Sequence, residues 1–135
     1  MEKQKKAFTL VEILVVVIII GILSTLGFVN YSRIKEGALT KEARANLKLI
    51  AAAERIYRME YGHYYIQGTG ETVTDINRNL RLGLNETNWG YQISNTGGTN
   101  NTFQAVANRP IGSNTCTYSI DQGTAGEPTG NTNCP

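Results

Sequence analysis

A single carboxylate, Glu12, lies inside the otherwise uncharged run from Phe8 to Val29. An ionisable group at such depth costs at least about 2.5 kcal/mol, so it needs a cationic partner, a retained proton or a route to water. Few other side chains have the types and spacing for chemistry. Cys116 and Cys134 are the two thiols, and His63 is the one histidine. Two cysteines and a distant histidine do not make a zinc set. Asp121 and Glu127 are the acids of the C-terminal tail. Two carboxylates are a weak calcium set, and solvation in a loop is the better reading. Arg55, Arg58, Arg78 and Arg81 lie near tyrosines and could touch DNA, although a solvated helix face is the commoner origin of such a pattern. Asn30-Tyr31-Ser32, Asn85-Glu86-Thr87 and Asn100-Asn101-Thr102 match the short glycosylation triplet. No nucleophile stands with a histidine and a carboxylate at a supporting spacing, and no glycine-rich loop follows a strand as a phosphate site requires. The reading is therefore non-enzymatic, with no cofactor and no metal.

The elements that position these residues follow from composition and pattern. The 135 residues and 14.8 kDa suit one small domain. Thirteen basic against eleven acidic side chains give a charge of +2, too balanced to imply an obligate nucleic-acid partner. Hydrophobic residues at 41% and charged residues at 18% exclude global disorder. The mean hydropathy of −0.25 averages two unlike halves. From Trp89 onward only Arg109, Asp121 and Glu127 are charged, and Asn, Thr, Gly and Ser dominate, a composition for strands and turns.

As a helix, the run from Phe8 to Val29 would extend roughly 33 Å, enough for a bilayer core. Lys3, Lys5 and Lys6 precede it, which places the N-terminus in the cytoplasm. A cleaved secretory signal fits poorly. No small-x-small site follows the run, and a carboxylate at its fifth position is foreign to that design. The local pattern Lys6-Ala7-Phe8-Thr9-Leu10-Val11-Glu12, followed by Ile13 to Leu23, instead resembles the prepilin signature of type IV pilins and type II secretion pseudopilins. The resemblance covers Lys5 to Leu26. It implies that a prepilin peptidase cuts between Ala7 and Phe8 and methylates the new amino group of Phe8. A seven-residue leader and Phe8 at the new terminus look like the type IVa subclass. The resemblance also implies a partner for Glu12, the amino terminus of Phe8 on a neighbouring subunit. Two positions depart from the usual pattern: Ala7 stands where Gly normally precedes the cut, and Val29 where many pilins carry Pro. Gly21 and Gly27 are then the weak points of the helix, each costing about 1 kcal/mol relative to Ala. Loss of residues 1–7 removes three Lys and one Glu, which leaves a neutral subunit suited to close stacking.

Beyond the apolar run the helix should continue to Tyr61, about 80 Å in all. Leu39, Ala43, Leu47, Ile50, Tyr57 and Tyr61 mark one face, and Gly62 is the stop. A short helix is expected within Glu71–Leu84, capped by Thr74. Strands are expected over Trp89–Ser94, Thr102–Ala107 and Thr117–Ile120, with a hairpin loop over residues 95–101 between the first two. If this part lies outside the cytoplasm, Cys116 and Cys134 are free to form a disulfide, and free thiols are the alternative. The family resemblance implies the disulfide, as a clamp on the C-terminal loop.

The expected fold is α+β, a pilin fold. One long N-terminal helix, half of it transmembrane, packs on a small antiparallel sheet of three or four strands with a disulfide-closed C-terminal loop. The expected organisation is a leader over 1–7, a transmembrane and filament-core helix over 8–29, and a globular domain over 30–135. That domain comprises the outer helix half 30–61, a connecting loop 62–88, and the sheet and C-terminal loop 89–135. The expected role is a structural subunit of a type IV pilus serving adhesion, motility or DNA uptake. It would wait in the inner membrane and then enter a surface homopolymer, with prepilin peptidase and the pilus or secretion machinery as partners. A type II secretion pseudopilin is the alternative, and a minor pilin acting as a tethered binding module is a further one. Nucleic acid is a possible partner without support in the residues.

Overall fold

A computed structural model describes residues 8–98, 101–123 and 126–135, with the side chains of residues 26–30 outside the description. The expected leader, Ala7 included, lies outside the described residues. Helix α1 spans Leu10–Tyr61. Thr9 caps its start. The Thr9 carbonyl accepts the Glu12 N–H at 3.1 Å, and the Thr9 hydroxyl lies 3.3 Å from the same donor. Gly62 ends it as expected, with φ at +80° and its N–H bonded to the Arg58 carbonyl at 2.8 Å.

The chain divides into two compact units, Met1–Gly37 and Ala38–Pro135. Among its described residues the first is Phe8, Thr9 and a stretch of α1. The second holds the remainder of α1, a short helix α2 (Val73–Leu80) and four strands: β1 (Gly90–Ser94), β2 (Gln104–Ile111), β3 (Asn114–Asp121) and β4 (Thr129–Gly130). The sheet is an antiparallel meander in the order β1-β2-β3-β4. All three expected strands are present. β2 and β3 are longer than expected because they meet in a two-residue turn at Gly112 and Ser113, where Ile111 pairs with Asn114. Gly112 supplies the positive φ, +60°, that this hairpin needs at its first turn residue. Pro110 is tolerated in β2 because β1 stops opposite Asn108, so the prolyl nitrogen faces no partner strand on that side.

The core of the second unit lies between α1 and one face of the sheet. Leu39, Ala43, Leu47 and Ile50 are buried on the helix. Ala105 and Ala107 of β2 and Phe103 just before it share the facing side, joined by Tyr91, Ile93, Tyr118 and Ile120. Polar ties fix the packing. The Trp89 indole N–H donates to the Leu39 carbonyl at 3.0 Å, satisfying both groups where water is absent. The Asn46 amide donates to the Tyr91 hydroxyl at 2.7 Å. The expected apolar face needs one correction at its end: Tyr61 is 56% exposed and lies against Tyr57 at 4.4 Å, because α1 stops there and the chain turns away at Gly62.

Helix α2 falls within the expected Glu71–Leu84 stretch, but its cap is Thr72 rather than Thr74. The Asp75 carboxylate accepts the Thr72 N–H at 2.8 Å, a bond available only one turn upstream of the acid. That N–H holds the Asp75 carboxyl below its ordinary value. The helix ends at Arg81 in the left-handed region, φ 55° and ψ 44°. This conformation costs a non-glycine residue roughly 1 kcal/mol. The Arg81–Glu60 ion pair at 3.8 Å is exposed and offsets little of that. Arg81→Gly is therefore expected to raise stability by about 0.5 kcal/mol, after the extra freedom that glycine gives the unfolded chain. A urea midpoint that falls in this variant would refute it.

Candidate functional site

Of the residues that the sequence marks for chemistry, Glu12 lies in the first turn of α1 and Phe8 just before the helix begins. Glu12 stands three residues after the cap, where its charge faces the positive end of the helix. Phe8 is 74% exposed, and Glu12 is exposed as well. From Leu10 to Leu23 every large apolar side chain is open to solvent, and no side of the helix is spared. Val15 and Val16 are the least exposed, at 47% and 45%. A helix apolar on all sides is stable in water only when something covers it, whether lipid or other helices. Ser24 and Thr25 return their hydroxyls to the Ile20 and Ile22 carbonyls at 2.7 Å, so even the polar residues here present little that needs water.

Among the described residues, no helix is long and apolar enough to cross a membrane. The apolar stretch whose side chains are described, residues 10–25, amounts to about 24 Å at the standard rise, short of the roughly 30 Å hydrocarbon core. The backbone of α1 continues through Gly27, so the expected weak points at Gly21 and Gly27 are both helical in this single chain.

In the second unit Cys116 and Cys134 are joined in a disulfide, with Cα atoms 4.7 Å apart. Cys116 is fully buried in β3. The bridge holds the C-terminal loop over the sheet edge, where the two residues of β4 pair with Tyr118 and Ser119. Gly130 lies flat against the Tyr118 ring. A Cβ there would come within 2.6 Å of it, so only glycine fits. The Asn131 side chain adds bonds to the Thr115 carbonyl at 3.0 Å and the Thr117 N–H at 3.2 Å.

The remaining candidates are placed apart. Asp121 accepts the Gly123 N–H at 2.8 Å. Glu127 pairs with Lys48 of α1, which holds its carboxyl below the ordinary value. The two acids do not converge. His63 presents Nδ1 to the Tyr64 carbonyl at 3.0 Å and its ring edge to Tyr57 at 5.8 Å. Arg58 donates to the Tyr64 hydroxyl at 3.0 Å and lies 4.9 Å over its ring, Arg78 pairs with Asp75 at 3.1 Å, and Arg81 faces Glu60. These three guanidinium groups are engaged within the fold rather than gathered on one face. Of the glycosylation triplets, Asn85-Glu86-Thr87 closes on itself, with the Thr87 N–H donating to the Asn85 side chain at 2.8 Å. The side chain of Asn30, and Asn100, lie outside the described residues.

One residue escaped the sequence reading. Glu54 is fully buried on the inner face of α1 and accepts the Tyr65 N–H at 2.9 Å. The signal was its spacing, seven residues after Leu47 and four after Ile50, which puts an acid on the apolar face.

Comparison with known proteins singles out the N-terminal segment. Residues 3–28 match the family described as the prokaryotic N-terminal methylation motif. The chain is also similar to the type IV major pilin protein PilA of Myxococcus xanthus (strain DK1622), 33% identical over 61 residues. That stretch is 45% of this chain and 28% of the relative, so the match spans little more than a quarter of the relative's length. No solved structure matches.

Proposed function

We propose that this chain, a protein of the type IV pilin type, is a structural subunit of a pilus filament. The observation that carries the reading is the uncovered apolar helix of residues 10–23, with its one carboxylate in the first turn. The methylation motif over residues 3–28 supports processing there. In this reading prepilin peptidase cuts between Ala7 and Phe8 and methylates the Phe8 amino group. The run from Phe8 to Val29 holds the chain in the inner membrane, N-terminus inside. The subunit then moves into a surface filament, where neighbouring helices replace lipid as the cover. Glu12 of an arriving subunit pairs with the Phe8 amino terminus of a neighbour, which removes the cost of an unpaired carboxylate in an apolar core. The globular unit faces outward and is kept closed by Cys116–Cys134.

The chain acts as a building block and not as an enzyme. Similarity to a protein named as a major pilin favours the pilus over a secretion pseudopilin. Placement of Asp121 and Glu127 on separate partners favours it too, since a calcium loop would bring acids together.

Mass spectrometry of sheared surface filaments and of the membrane fraction tests the reading. Abundant chain in the sheared fraction is expected, starting at a methylated Phe8 and two hydrogens lighter at its cysteines. Processed chain confined to the membrane would point to the pseudopilin instead. An uncut leader would overturn both.

A further inference from the structure

Glu54 is the one charged side chain among the buried residues described, and its position is awkward. One carboxylate oxygen accepts the Tyr65 N–H at 2.9 Å. The other has no hydrogen-bond partner among the described residues. Arg58 stands four residues on, where a helical ion-pair partner belongs. Its guanidinium is drawn off instead by Tyr64, bonded to the hydroxyl at 3.0 Å and stacked over the ring. An ionised Glu54 would thus be a buried anion held by a single backbone donor, whereas a protonated one is a neutral group with one good bond.

We propose that Glu54 is a proton-operated latch, whose protonated carboxyl holds residues 62–67 against α1 and whose ionisation releases them.

The surroundings set the direction. On α1, Tyr57 adjoins Glu54, and burial raises its hydroxyl above the ordinary value, so it stays neutral near pH 7. From the loop come Tyr64, Tyr65 and His63, the last touching Tyr57 rather than Glu54. Beyond them Glu71 accepts the Tyr65 hydroxyl at 2.7 Å, and Asp75 of α2 faces the same ring, so the charge on that side is negative. The sheet meets the segment through Phe103, 4.9 Å from Tyr64, and Ile93, whose backbone exchanges bonds with Gln67. Neither titrates.

Burial pushes the Glu54 carboxyl up from 4.5 to about 7, with the Tyr65 N–H pulling weakly the other way. Once the segment lets go, water reaches the carboxyl and its ordinary value returns. Below pH 4.5 both states are protonated and the latch is at full strength. From there to pH 7 the released state ionises first, and the hold weakens. Above that no further change follows. The opening constant therefore grows by up to about 300-fold across this window.

Hydrogen exchange on the full chain in detergent micelles tests this. Protection of amides 62–67 is measured from pH 4 to 8 and corrected for intrinsic chemistry. The wild type should lose protection on the order of 100-fold. Glu54→Gln, neutral at every pH, should show no loss, and His63→Gln should behave as wild type. An equal loss in Glu54→Gln, or its disappearance in His63→Gln, would overturn the latch. A carboxyl-carbon NMR titration of the wild type gives a check that needs no variant. A Glu54 midpoint near 7 supports the latch, and one near 4.5 overturns it.

Discussion

Cells making the Glu12→Ala chain should carry no filaments, while the leader is still removed and Phe8 still methylated. The expectation comes from the place of Glu12 in the first turn of a helix apolar on every side. In an apolar core a carboxylate left alone costs roughly 2.5–3.5 kcal/mol, and its cationic partner pays a similar penalty. Alanine removes one charge of the pair and leaves the other buried. That loss corresponds to on the order of 100-fold per subunit junction, and a filament multiplies it over many junctions. Glu12→Gln should fail in the same way, because an amide accepts a hydrogen bond but carries no charge. Electron microscopy of sheared fractions reads the filaments, and N-terminal mass spectrometry of membranes reads the processing. Filaments of normal abundance in either variant would rule out the pairing with Phe8. Loss of cleavage would mean that Glu12 serves the peptidase instead.

Removing the disulfide has the second large effect. The double variant Cys116→Ala/Cys134→Ala should lose about 3 kcal/mol, the chain entropy released by opening a loop of this length. For a folded unit of this size that is a fall of roughly 10–20 °C in the thermal midpoint. The other ties on the loop are the Asn131 bonds to β3, the β4 pairing and one ion pair to α1. β4 is two residues long, and the Lys48–Glu127 pair is exposed. Limited proteolysis should therefore cut the double variant between Gln122 and Asn133 before any other site in the globular unit. The same pattern should follow from reduction of the wild type. Equal midpoints with and without the bridge would show that the β4 pairing and the Asn131 bonds suffice.

Regular elements were legible where one period ran without interruption. The apolar spacing from Leu39 to Ile50 fixed the buried face of α1, and the alternation around Phe103, Ala105 and Ala107 fixed the inward side of β2. The strand ends were harder. Arg109 and Pro110 look like a break, yet they continue β2 because β3 alone pairs with them. β4 has no pattern of its own, and its two residues are strand only because the disulfide and Asn131 bring them to β3. The cap of α2 went to Thr72 over Thr74 because Asp75 needs its partner three residues upstream. At the candidate site, type and context revealed Glu12, since any charge in so apolar a run stands out. Glu54 was hidden for the opposite reason. Its neighbours in sequence are mixed with charged residues, and an acid at an inward position reads as one more solvent-facing group until the fold closes over it.

The meander also bears on how quickly the globular unit can form. Each strand pairs with the next in sequence, so every hairpin closes over a short stretch of chain and loses little entropy in doing so. The expensive closure is the docking of the sheet on the helix, marked by the Trp89 indole on the Leu39 carbonyl across 50 residues. The long-range part of the contact order thus lies in the docking of α1 on the sheet, while the strand pairings are local.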